Sequence, residues 1–259
     1  MQAPIDWTRR WYDSVRPAYQ RLDIGALGVI GALNAIPGLP VRFVPQAELP
    51  EGRAYEEFIG ATGCVPTREN LHDFFNGLVL LTFPRIKRQL NVLQAAQIAL
   101  AGVGKSRGAA RDGATIFDEN SALLIVREGA AAVVDALRAH LWSEALFERR
   151  AAFGGDVQVW LFGHALMEKL VAPRKAITAH TLVVTAPAEY FGLPWDEQRM
   201  WIDAHVAASL AKEGVTTAGF TPLPVLGVPG WWEGQDAAFY ADASVFRPKR
   251  RPIDKMEAT

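Results

Sequence analysis

Apolar residues recur at helical spacing from Leu71 to Leu100, and a proline at position 84 cuts that run in two. Proline has no amide hydrogen, disfavours helical geometry at the residue before it, and fits the first position of a new helix. The run is therefore read as two helices bent at Phe83-Pro84. The first is expected to begin at Pro66-Thr67, with Thr67 capping its free N–H groups and Glu69 in its first turn, and to end near Thr82. Leu71, Phe74, Phe75, Leu78, Val79 and Leu81 form its inward face. In the second, Ile86, Leu90, Leu93 and Leu100 make the apolar stripe, while Arg85, Lys87, Arg88 and Asn91 lie off it.

Polar groups interrupt this apolar stretch. His72 and Asn76 are four apart and share a face, with Asp73 beside His72. They read either as the lining of a pocket, with Arg85 or Arg88 holding an anion, or as a buried polar network that fixes helix packing.

The chain has 259 residues, 50% apolar and 21% charged, which is enough for one large or two small domains. A net charge of -1 argues against nucleic acid as the main partner, since phosphate binding draws on a basic excess. Cys64 is the only cysteine, which rules out an internal disulfide and a cysteine-based zinc site. No secretory signal pattern stands at the N-terminus, and the apolar segment from Ile24 to Pro40 is broken by Asn34 and Pro37 and is short for a membrane span. A soluble cytoplasmic protein with no membrane partner is the expectation.

Pro4 to Leu22 is read as one amphipathic helix with Trp7, Trp11, Val15 and Tyr19 on a stripe, followed by a short helix within Asp23–Ile36. Val41–Val44, Ala122–Val126 and Ile177–Val184 are strand candidates that would build one small mixed or antiparallel sheet. The run R-D-G-A-T-I-F-D-E-N fits a helical turn or a strand. Ala130–Arg149 is expected to be helical, with Val133, Leu137, Leu141 and Ala145 buried. Trp195–Gly214 is read as a long helix with Met200, Val206 and Leu210 inward and with Asp203 and His205 solvated. The expected organisation is one domain: residues 1–40 a helical segment, 41–221 the core, 222–248 an irregular Pro/Gly/aromatic arm, and 249–259 a flexible tail. The fold class is α+β, predominantly helical.

Three motif-like features fail on their context. Gly104-Lys105-Ser106 suggests a phosphate-binding loop, but Ala99 stands where its first glycine belongs and no strand precedes it. G-K-S-R-G fits the spacing of a nucleophile elbow, yet a helix precedes it rather than a strand. The acids around Asp118 lack the alternating spacing of a calcium loop. His164 and Glu168 are four apart in F-G-H-A-L-M-E-K-L and would share a helix face, able to bind a metal or to orient each other.

N-L-H-D-F-F-N-G-L, F-P-R-I-K-R-Q-L-N, R-D-G-A-T-I-F-D-E-N, F-G-H-A-L-M-E-K-L, P-L-P-V-L-G-V-P-G-W-W and F-Y-A-D-A-S-V-F-R-P occur in this order. Together they resemble a bacterial family catalogued as domain of unknown function 3025, over about Arg42 to Arg247. Leu80, where the family usually has tryptophan, and Ser121, where glycine is usual, depart from the pattern. The resemblance implies a single-domain cytoplasmic protein and no particular reaction. It adds weight to His72, Asp73, Asn76, Arg111, Asp112, Asp118, Glu119, His164 and Glu168, which sit in the motifs.

Three functional classes stay open. In a hydrolase, His72, Asp73, Asp112, His164 and Glu168 would carry the chemistry, since a near-neutral imidazole serves as general base or metal ligand. Asn76, Arg85, Arg107, Arg111 and Trp231 would bind a small anionic substrate. A divalent metal ion, if used, would be held by His72, His164, Glu168 and Asp118. A binding module would hold a small anionic ligand without turnover, and a structural protein would use the same groups as internal glue. The hydrolase is favoured because ionisable groups beside apolar segments concentrate in sites.

Overall fold

The computed structural model describes residues 4–101 and 109–249, and side chains for 4–98 and 112–249. The expected tail lies outside the described residues, apart from Lys249. In chain order the elements are α1 (Arg16–Tyr19), α2 (Ile24–Asn34), β1 (Arg42–Pro45), α3 (Tyr55–Thr62), β2 (Cys64–Thr67), α4 (Leu71–Thr82), α5 (Pro84–Ala101), α6 (Ala109–Asn120), β3 (Ser121–Arg127) and α7 (Ala131–Arg138). They continue with β4 (Val157–Leu161), α8 (His164–Lys169), β5 (Thr178–Ala186), α9 (Trp195–Glu213), β6 (Thr221–Pro224) and α10 (Ala237–Tyr240). The fold is α+β and predominantly helical. Among the described residues no helix is long and apolar enough to cross a membrane.

The helix–proline–helix reading holds, with α4 ending at Thr82 and α5 starting at Pro84. The start of α4 is corrected. Pro66-Thr67 ends the strand β2, and Asn70 is the cap, its side chain accepting from the Asp73 N–H at 2.8 Å. A second correction concerns Asp203. It is buried, 4% exposed, and its carboxylate accepts from the Arg85 and Ile86 N–H groups at 3.1 and 2.9 Å. Phe83, the residue before Pro84, has no side-chain acceptor, so α9 supplies the cap for α5 from across the fold. Arg199 of α9 donates to the Thr82 carbonyl at 2.9 Å and completes the junction. The inward face of α9 is accordingly Ile202, Asp203, Val206 and Leu210, and Met200 is exposed.

Four strands form a mixed sheet in the order β4-β3-β5-β6, in which β3 pairs parallel with β5 and antiparallel with β4. The run from Ala122 to Val126 in β3 is buried throughout, as a central strand covered on both faces requires. The Val41 segment does not join this sheet; β1 pairs parallel with β2 in a separate two-stranded sheet. The expected arm begins as the edge strand β6, antiparallel to β5, before it becomes irregular. Its Tyr240 and Phe246 are buried in an apolar cluster under α7.

Two further expectations fail for local reasons. The N-terminal segment is a short turn at Arg10–Tyr12 followed by α1, because Pro17 can only open a helix. The 130–149 segment is helical in two pieces, with Val133, Leu137 and Ala145 buried: α7 ends at Arg138, where His140 takes a left-handed conformation (φ 58°), and helical backbone resumes at Ser143–Glu148. The His140 and Leu141 N–H groups bond back to Leu137 and Ala136 as in a helix-terminating loop, which leaves Leu141 exposed.

Candidate metal centre

Three elements meet at the candidate centre. His72 stands in the first turn of α4, His164 opens α8, and Asp118 and Glu119 lie in the last turn of α6. Contact between α6 and α8 depends on Gly163. A Cβ there would lie 2.4 Å from the Ser121 nitrogen and 2.6 Å from the Glu119 carbonyl, so only glycine lets the β4–α8 turn close on the α6–β3 junction. Two acids at a helix C-terminus oppose the helix dipole, a local cost that needs an offset.

The two imidazoles face each other through their Nε2 atoms, 3.1 Å apart. His72 Nδ1 lies 3.0 Å from Glu168 Oε2, and since an ionised carboxylate only accepts, Nδ1 carries the hydrogen and the Nε2 of a neutral His72 is bare. His164 is buried, and burial pushes its pKa down to about 4 against the opposing Asp118 charge, so it is neutral near pH 7. Its contacts of 3.9 Å with Asp118 and with Glu119 are therefore not ion pairs at that pH. His164 Nδ1 has no hydrogen-bond partner and sits 3.9 Å from Asp118 Oδ2. With the hydrogen on Nε2, His164 donates to the bare His72 Nε2; with it on Nδ1, beside the carboxylate, both Nε2 atoms are free to act as ligands.

Glu119 supplies the third arm. One ligand atom each from His72, Glu119 and His164 can be chosen so that all lie within 4.8 Å of one another, with His164 Nε2 at 3.9 Å from Glu119 Oε2. Ligands about 2.0–2.1 Å from a tetrahedral ion stand roughly 3.3–3.4 Å apart, so separations of 3.1 and 3.9 Å bracket the requirement. The Glu119 carboxyl is raised above the usual range, chiefly by burial, while the His72 and lysine charges lower it.

Asp118 is held on the far side of His164. Burial works against its carboxylate, but the charges of Lys87 and the histidines outweigh burial and keep its pKa below the ordinary value. Lys87 Nζ donates to Asp118 Oδ1 at 2.5 Å and to Asn76 Oδ1 at 2.7 Å. Lys169 Nζ donates to Asn120 Oδ1 at 2.5 Å, placing a second cation beside the acids of α6.

The structure thus groups His72, His164, Glu168 and Asp118, with Asn76 linked to them through Lys87. The remaining candidate residues lie elsewhere. Asp73 is taken by Arg68, whose N–H and guanidinium both bond its carboxylate. Asp112 stands in the first turn of α6 and contacts neither histidine. Arg85 is exposed, with only its backbone N–H engaged, at Asp203. Trp231 packs against both apolar clusters. Arg107 lies outside the described residues, as does the side chain of Arg111. Lys87 and Glu119 are the two central groups not named above as ligands or binding residues. Their signal is the placement of 109–120 on a helix, which sets adjacent acids against the dipole and requires a cation from another segment.

The family model described as "Protein of unknown function (DUF3025)" matches residues 41–250. That span is most of the chain, and the chain belongs to this family. A comparison with curated proteins and one with solved structures find no match.

Proposed function

We propose that the protein is a metal-dependent hydrolase in which His72, His164 and Glu119 hold one divalent ion and act on a small anionic substrate. The observation that carries this reading is the approach of two imidazole Nε2 atoms and a carboxylate to one another, with the other nitrogen of His72 fixed by Glu168. Metal-bound histidines commonly donate their second ring N–H to a carboxylate, which sets the tautomer and raises ligand basicity. Two histidines and one glutamate are a ligand set that leaves a position open, where a divalent ion acts as a Lewis acid and makes water nucleophilic near pH 7. Glu168 and Asp118, assigned above as ligands, act in this reading behind the two histidines.

A buried structural network would be shut off from solvent and fully bonded. Instead the side chains of His72, Glu119 and Glu168 are 33%, 35% and 39% exposed, and His164 Nδ1 is unpaired. Lys169, on the Glu119 side, is the described cation that supports an anionic substrate group.

The test is elemental analysis of untagged protein, with His72→Ala, His164→Ala and Glu119→Gln. A near-stoichiometric divalent metal that is lost from all three folded variants is expected. Wild-type protein that takes up no zinc, manganese or cobalt on incubation would overturn the assignment.

A further inference from the structure

A cavity of about 370 Å³ opens between α3, α4 and α5, with Asp118 in its wall. It falls in the range of roughly 300–1,000 Å³ typical of small-molecule sites. Neither His72 nor His164 lines it, so it is not the pocket of the proposed metal centre. Its walls are largely apolar, including Val41, Ile59, Val65 and Leu80. Its polar groups are Tyr55, Glu56, Asn76, Lys87, Asn91, Gln94 and Asp118 in the interior, with the exposed Arg88 also contributing.

The charges in this cavity are not equally answered. Lys87 and Asp118 neutralise each other at 2.5 Å, and Asn76 takes a further Lys87 donor at 2.7 Å. Glu56 is different. Its carboxylate accepts from the Asn91 amide at 2.6 Å, and among the described residues no cation lies within ion-pair distance of it. The same Asn91 nitrogen also bonds the Glu56 carbonyl at 2.8 Å, which pins the residue in place. Burial, and then the Asp118 charge, push the Glu56 carboxyl above the usual carboxylate range, and the Lys87 charge and the Asn91 hydrogen bond offset this only in part. A carboxylate with open acceptor positions inside an apolar cavity calls for a cationic donor.

We infer that this cavity binds an organic ammonium ion with an apolar body, its charged head on the Glu56 carboxylate and its chain against Val41, Ile59, Val65 and Leu80. The site is distinct from the proposed metal centre, to which Asp118 and its partner Lys87 join it.

The probe is n-hexylammonium chloride, with sodium hexanoate and 1-hexanol as anionic and neutral controls at matched ionic strength. Titration calorimetry is expected to give binding of hexylammonium to wild type with a Kd below roughly 1 mM. Glu56→Gln, which keeps the shape and the acceptor for Asn91, should weaken it by at least about tenfold. Amide chemical-shift changes in wild type should map to residues 55–60, 76 and 87–94, and this map decides the matter if the variant fails to fold. Hexanoate binding as tightly as hexylammonium, undiminished binding in Glu56→Gln, no binding, or shifts mapping elsewhere would each overturn the inference. Metal content of Glu56→Gln should equal wild type, so failure here leaves the metal reading standing.

Discussion

His72 and His164 are 92 residues apart in sequence, and their Nε2 atoms lie 3.1 Å apart at the junction of α4 and α8. An acid on a different element stands behind each ring: Glu168 bonds His72 Nδ1, and Asp118 lies 3.9 Å from His164 Nδ1. That arrangement leads to four expectations.

Glu168→Gln keeps a hydrogen-bond partner for His72 Nδ1 but removes its charge. Glu168 is partly exposed, so stability should change by no more than about 0.5 kcal/mol. Metal affinity should fall by about 10–100-fold, read by competition with a coloured chelator. Unchanged affinity would mean that Glu168 does not tune the centre.

Gly163→Ala places a methyl group against the backbone of Glu119, Asn120 and Ser121. The backbone cannot yield as a side chain can, so a loss of about 1–3 kcal/mol in urea unfolding is expected. The α6–α8 separation should widen with it, and metal content should drop even where the fold survives. A variant with wild-type stability would show that the turn has room to relax.

Lys87→Met strands the Asp118 carboxylate, whose side chain is 14% exposed, without its cation. Breaking one side of such a pair should cost about 3–5 kcal/mol. Adding Asp118→Asn should recover much of that loss, a coupling that a double-mutant cycle measures directly. Additive losses would show that the pair does not interact as described.

Asp203→Ala leaves the Arg85 and Ile86 N–H groups without their acceptor and should cost about 1–2 kcal/mol. Burial also raises the Asp203 carboxyl above its ordinary value of 3.8. In the window between the unfolded and folded pKa values the folded state holds more protons. This group's contribution is therefore fully present below the unfolded pKa and is lost as pH rises through the folded one. Asp203→Asn should flatten that slope in unfolding measured from pH 4 to 7.

Local sequence carried much of the fold. The α4–α5 bend and the strands at Arg42, Ser121 and Thr178 follow from periodicity, Pro84 and runs of β-branched residues, whereas α2 is broken at Gly28, whose φ is 66°. The misreadings have two causes, a local break that the apolar period runs through and a partner distant in sequence. Pro17 divides the N-terminal helix, His140 ends α7 without a glycine, and Asp203 is buried because α5 lacks a cap of its own. At the centre, residue type and spacing pointed to His72, His164 and Glu168. Neither type nor spacing separated Asp118, which the fold joins to His164, from Asp73, which Arg68 occupies.

The sequence by itself determined where the α4–α5 pair, α9 and the central strands form, because hydrophobic period and backbone chemistry are local properties of the chain. Only the tertiary structure decided which polar residues face one another. The α6–β3 junction and the β4–α8 turn are brought within van der Waals distance by a missing Cβ at Gly163. The pairing of β3 with β4 then sets Glu119 beside His164, the packing of α4 on α8 brings His72 to them, and a contact between residues so far apart depends on packing that no local pattern records.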